Sequence, residues 1–240
     1  MTVRIAMWSG PRSISTAMMR SFGSRADCAV TDEPFYGAFL KATGEAQPLA
    51  DETMASMDCD WASVAETMRG RPPGGEPIWY QKHMPHHMVG DISIADFADH
   101  RHAFLIRDPA CVIASYAAKN DLRSAEHLGY EKLCEYFEIE ADRIGKAPPV
   151  IDSTDVLRDP ERVLGKLCAA LDIPWDEAML RWEPGQREED GYWGRHWYSR
   201  VEQSTGFEAS PEGEAEVPKS GVVYEQCLPL YEKLAKWRLR

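Results

Sequence analysis

Short apolar runs rich in β-branched and aromatic residues alternate along the chain with longer stretches of helical character. Val3 to Trp8, Cys28 to Thr31, Ile78 to Lys82, Ala103 to Arg107 and Val150 to Asp152 read as buried strands. Ala50 to Met68, Glu126 to Ile144 and, with a bend at Pro229, Val222 to Leu239 read as helices. Strands that alternate with helices predict an α/β fold of three layers, a mostly parallel central sheet flanked by helices on both faces. Loops are marked by RPPGGEP at 71–77, KAPP at 146–149 and the Gly-, Pro- and Glu-rich stretch from Ser204 to Gly221. Asp108-Pro109 and Asp159-Pro160 each set a capping carboxylate before a proline suited to the first helical position, so both aspartates read as caps.

In such a sheet ligands bind beyond the carboxyl ends of the strands. That rule directs attention to Ser9 to Thr16, Asp32 to Tyr36, Lys82 to His87 and Arg107.

At 240 residues the chain suits one domain spanning 1–240. A formal charge of −12 argues against a nucleic-acid surface, which needs clustered Lys and Arg on a basic domain. The six cysteines form no C-x-x-C pair and no zinc-like spacing, and are expected to be buried, reduced thiols. No window approaches the roughly 20 apolar residues of a membrane span, and MTVRIAMW lacks a signal peptide's apolar stretch, so the expected location is the cytoplasm, with no membrane partner.

The segment IAMWSGPRSISTAMMRSF reads as a buried strand, a tight turn at Gly10 and Pro11, and a helix opening among Ser13, Ile14, Ser15 and Thr16. The first turn of a helix offers unpaired N–H groups and a positive dipole end to an anion. With Arg12 adding a charged fork, the loop predicts a phosphate cradle rather than an ordinary capped helix start. A Walker loop would read G-x-x-x-x-G-K-[ST]; here PRSIST follows Gly10, which counts against a P-loop nucleotide kinase or hydrolase.

These residues resemble a known family. GPRSIST is similar to the 5′-phosphosulfate loop P-[KR]-S-G-[ST]-[ST] of sulfotransferases that use 3′-phosphoadenosine 5′-phosphosulfate (PAPS), with Ile14 where glycine is common. RDPACVIASY, from Arg107 to Tyr116, resembles the family's 3′-phosphate signature and implies that Arg107 and Ser115 hold that phosphate. QKHMP at 81–85 looks like the segment whose histidine is the general base, and the stretches at 151–174 and 191–197 resemble later family segments. The resemblance implies a P-loop sulfotransferase with PAPS as co-substrate, its bisphosphate (PAP) as product and no metal.

Under that reading Arg12, with Lys82 as second candidate, is the cation for the departing phosphate. His83 and Glu33 compete for the base: histidine titrates near neutral pH, whereas a glutamate after the second strand needs burial. Pro85 interrupts any helix that could align the histidines of HMPHH, which read as pocket-lining or solvent-facing rather than metal-binding. Trp8, Phe35, Tyr36, Trp61, Trp193 and Trp197 are candidates for the pocket of a small-molecule acceptor, a partly apolar alcohol, phenol or amine. The competing class is a non-catalytic nucleotide-binding module of the same fold.

Overall fold

The computed structural model describes residues 2–118, 122, 124–208 and 219–240. Strands β1 (Val3–Ser9), β2 (Cys28–Asp32), β3 (Ile78–His83), β4 (Arg101–Ile106) and β5 (Val150–Asp152) form one sheet. Their order is β2-β3-β1-β4-β5, and every neighbouring pair is parallel. Parallel neighbours need crossovers, which the helices provide.

The helices are α1 (Ser15–Gly23), α2 (Tyr36–Thr43), α3 (Ala50–Ser56), α4 (Trp61–Arg69) and α5 (Pro109–Ala117). They continue as α6 (Tyr130–Ile144), α7 (Ser153–Arg158), α8 (Pro160–Ala170), α9 (Gly194–Trp197) and α10 (Val222–Ala235). Side chains alternate across a strand, so β1 feeds two cores. Ile5 and Met7 pack with Met18, Met19 and Phe22 of α1 and Val163, Leu164 and Leu167 of α8. Ala6 and Trp8 pack on the other face with Val64 and Met68 of α4, Leu133 and Phe137 of α6 and Leu234 of α10. This is the three-layer arrangement expected from the alternation of elements.

Boundaries differ from the sequence expectation where backbone chemistry overrides side-chain pattern. Strands β1, β2 and β3 each run one residue further, to Ser9, Asp32 and His83, because ladder pairing continues through Asp32↔Lys82 and Trp8↔His83. β4 opens at Arg101 and stops at Ile106, which makes Arg107 the first loop residue. The helix expected over Ala50 to Met68 is two: Met57 is extended, and Asp60 starts α4 by accepting from Ser63 N at 2.9 Å. Gly129 (φ 71°) separates a 3-10 turn at Glu126–Leu128 from α6. α10 runs through Pro229 and ends at Ala235, short of the expected Leu239.

Asp108 and Asp159 cap α5 and α8 as expected. Cys28, Cys134, Cys168 and Cys227 are buried thiols, while Cys59 and Cys111 are partly exposed. Within the expected loop from Ser204 to Gly221, Gly206 bridges to Arg181, and residues 209–218 lie outside the described residues. Among the described residues no helix is long and apolar enough to cross a membrane.

Candidate active site

Beyond the carboxyl ends of β1, β2 and β3 lies a cavity of about 490 Å³, within the ordinary range for a small-molecule site. Of the twelve residues singled out from the sequence, Pro11, Arg12, Ser13, Ile14, Ser15, Thr16, Glu33, Lys82, Arg107 and Ser115 line it. Gly10 and His83 do not.

The loop after β1 is built for close approach. Arg12 (φ 61°) and Ile14 (φ 58°) both sit in the left-handed region, unusual for any side chain and more so for a β-branched one. Left-handed residues interspersed in a turn aim successive N–H groups into a concavity. The left-handed conformation at 14 also explains why glycine suits that position. Ile14 precedes α1 without any side-chain cap, so the helix's first N–H groups face the cavity end of the loop uncapped by side chains. Gly10 is needed for another reason: a Cβ there would lie 2.3 Å from the Leu128 carbonyl oxygen. That contact seats the 3-10 turn carrying His127 against the cavity.

Arg12 Nε donates to Ser115 Oγ at 2.9 Å, and Arg107 Nη1 donates to the Arg12 carbonyl at 2.8 Å. The loop after β1, the start of the segment after β4 and helix α5 therefore converge. Burial, then the neighbouring Arg107 and Arg200, lower the pKa of the Arg12 guanidinium. Three arginines lining one space make its local field positive. Arg12 also lies over Trp197, 5.8 Å from its ring centroid. Arg200 escaped sequence reading, since no local motif marks it.

Lys82 is buried, and its Nζ donates to Asp32 Oδ1 (2.7 Å), Glu33 Oε1 (2.6 Å) and Tyr198 Oη (2.7 Å). Tyr198 Oη in turn donates to Asp32 Oδ2 at 2.6 Å and accepts from Trp193 Nε1 at 3.0 Å. An ammonium has three N–H groups, and all three are engaged. Lys82 thus orients the carboxylates instead of reaching toward a phosphate. Burial raises the pKa of Asp32 to about 6 against the pull of Lys82. Glu33, at φ 42°, keeps Oε2 on the side of His87, whose Nδ1 is 3.8 Å away.

His83 occupies a different place. Adjacent strand residues point to opposite faces, so with Lys82 on the cavity side His83 falls on the other, its ring stacked on Trp8 at 4.6 Å. Its Nε2 lies 3.3 Å from Gln81 Oε1, and burial, then His100 and His102, hold its pKa well below the usual value. His86 and His87, in the 3-10 turn Pro85–His87, line the cavity instead. His87 packs against both Tyr36 (4.6 Å) and Phe39 (4.8 Å), and burial pushes its pKa down to about 3. Of the aromatic candidates Tyr36, Trp193 and Trp197 line the cavity, whereas Trp8, Phe35 and Trp61 belong to the packing beneath it.

The protein is therefore a parallel α/β sheet with a left-handed loop, an arginine cluster and a buried lysine–carboxylate network beyond its strand ends. The sulfotransferase-domain family matches residues 3–238, and the chain belongs to that family. Two curated relatives from Arabidopsis thaliana, branched-chain-amino-acid aminotransferase-like proteins 2 and 1, are each 36% identical over 96% of this chain. The match spans 41% of their length. The sulfotransferase domain of the Synechococcus PCC 7002 olefin synthase superposes with a TM-score of 0.62 at 17% identity, covering 100% of this chain and 96% of that one. A sulfotransferase from Alicyclobacillus acidocaldarius gives 0.52 at 13% identity over 77% of this chain and 87% of its own. These two likenesses concern the fold.

Proposed function

We propose that the chain transfers a sulfuryl group from PAPS to a hydroxyl or amine of a small acceptor. The observation that carries this reading is the convergence of Arg12, Arg107 and Ser115 with the start of α1 on one side of a cavity whose lining also includes the Glu33 carboxylate. A donor with two separated phosphate positions suits two cradles, the loop 10–16 for the phosphosulfate and the Arg107–Ser115 pair for the 3′-phosphate. Arginine's planar fork suits phosphate oxygens.

Glu33 is the better-placed base. It lines the cavity, and Lys82 holds Oε1 while Oε2 lies 3.8 Å from His87 Nδ1. Glu33 takes the acceptor's proton as the acceptor oxygen bonds to sulfur. The bond from sulfur to the phosphate oxygen breaks, and Arg12 meets the charge developing on that leaving oxygen. Lys82, with its donors committed, acts as the residue that positions the base. Such a scheme relies on orientation and fixed charge and needs no metal step.

The test is thermal stabilisation by nucleotide. PAP should raise the melting temperature in a concentration-dependent way, since a ligand that binds only the folded state stabilises it. ATP with magnesium should not. Equal stabilisation by both would favour the kinase or hydrolase alternative, and PAP binding without turnover across an acceptor panel would favour a non-catalytic module.

A further inference from the structure

The lining of the cavity carries charge of both signs. Arg12, Arg107 and Arg200 lie close enough together that the other two arginines act on the Arg12 guanidinium. Another part of the lining comes from α2 and the chain that follows it. Gly44, in the left-handed conformation (φ 64°), ends α2 and turns the chain so that Glu45 and Gln47 line the cavity with Tyr36 and Phe39.

Gln47 Nε2 donates to Glu45 Oε1 at 2.7 Å and so holds the carboxylate in place. Glu33 has Lys82 as counter-ion, but among the described residues no salt bridge engages Glu45. Its field reaches the neighbouring ring, since Glu33 and then Glu45 add to burial in raising the pKa of the Tyr36 phenol. The nearby His87 is kept neutral by burial and its Nδ1 has no hydrogen-bond partner, so it supplies no compensating charge. A half-buried carboxylate without a cation, beside aromatic rings, attracts a positively charged group and repels a carboxylate.

We propose that this end of the cavity takes the ammonium of a compact amino alcohol or aminophenol, held by Glu45 with its apolar body against Tyr36 and Phe39. The inference rests on the sulfuryl-transfer reading for the fate of the hydroxyl. That oxygen bonds to sulfur, its proton passes to Glu33, the sulfur–phosphate oxygen bond breaks, and the ammonium is unchanged.

The experiment compares tyramine with 4-ethylphenol, the same ring and ethyl chain without the amine, by calorimetric titration at pH 7, with and without saturating PAP. Tyramine should bind about 5-fold more tightly than 4-ethylphenol, the scale of one partly exposed ion pair. Glu45→Gln should abolish that preference by weakening tyramine alone, Glu45→Asp should keep part of it, and tyramine should not displace PAP. Equal affinities in the wild type, a preference that survives Glu45→Gln, or displacement of PAP by tyramine would each overturn the proposal. Since the amine preference is read in the absence of PAP as well, failure of PAP to bind would sink the sulfuryl-transfer reading while the Glu45 result still stands or falls by itself.

Discussion

Tyr198→Phe removes one oxygen from the centre of the buried network. That oxygen accepts from Lys82 Nζ and Trp193 Nε1 and donates to Asp32 Oδ2. Phenylalanine fills nearly the same volume, so packing changes little, but an ammonium N–H, an indole N–H and a carboxylate oxygen lose a partner at once. Each buried group left unpaired costs roughly 1–3 kcal/mol, more when charged. The three do not add in full: Lys82 keeps Asp32 and Glu33, and Tyr198 lines the cavity, from which water can enter. A net loss of about 2–4 kcal/mol follows, between one isolated orphan and a fully broken buried network. Urea unfolding should show a lower midpoint with an unchanged slope. A loss below roughly 0.5 kcal/mol, the size of an ordinary surface substitution, would refute the claim that Tyr198 completes the network.

Three further outcomes follow from the same contacts. Arg107→Ala should raise the donor KM by about 10- to 100-fold with kcat little changed, because a remote phosphate is held alike in ground and transition states; a large fall in kcat at saturating donor would show the residue misplaced. Glu33→Gln should lower kcat by about 10²- to 10⁴-fold while PAP affinity stays near wild type, and full activity would remove Glu33 as base. Burial holds His83, His86, His87, His100 and His102 below their ordinary pKa, His100 to about 3 and His102 to about 4. The unfolded chain therefore binds more protons below pH 6.5, and stability, complete above that pH, should fall as pH drops, by up to about 1.4 kcal/mol per unit per histidine. Asp32, raised to about 6, opposes this below pH 6 with a single group's weight. Urea midpoints at pH 7.5 and 5.0 read the difference, and equal midpoints would contradict it.

The strands and the turn from β1 into α1 were legible because they rest on local rules. Apolar runs between turn residues give the sheet, and a helix opening after a strand gives the N–H cradle wherever it occurs. The choice among neighbouring histidines was less legible. β3 runs one residue past the apolar pattern, so His83 is still a strand residue and points away from the face that Lys82 takes. It therefore lies against Trp8, while His86 and His87, beyond the end of the ladder, line the cavity. Tyr198 and Arg200 were illegible for another reason. Tyr198 bonds to residues 32 and 82, and Arg200 lies near Arg12; proximity across such separations leaves no periodicity in the sequence. The segment GYWGRHW at 191–197 pointed to this part of the chain but stopped short of Tyr198 and Arg200.

Backbone strain ties these observations together. Among the described residues five other than glycine have positive φ, and Arg12, Ile14 and Glu33 among them line the cavity. Each costs of order 1–3 kcal/mol and persists only where its surroundings over-determine it. Those surroundings are visible. The Arg12 carbonyl accepts from Arg107, Ser153 Oγ lies 2.9 Å from the carbonyls of both Ser13 and Ile106, and Met18 N donates to the Ile14 carbonyl. Glu33 N donates to the Lys82 carbonyl at 3.0 Å, and Tyr36 N donates to the Glu33 carbonyl at 2.9 Å. The bonds that hold this loop and Glu33 come from β3, from Arg107 just after β4 and from the first turns of α1, α2 and α7. The sheet thus fixes the loop after β1 and the Glu33 carboxylate relative to one another, and in the proposed transfer fixed dipoles and charges of this kind would stabilise a developing charge without reorganising.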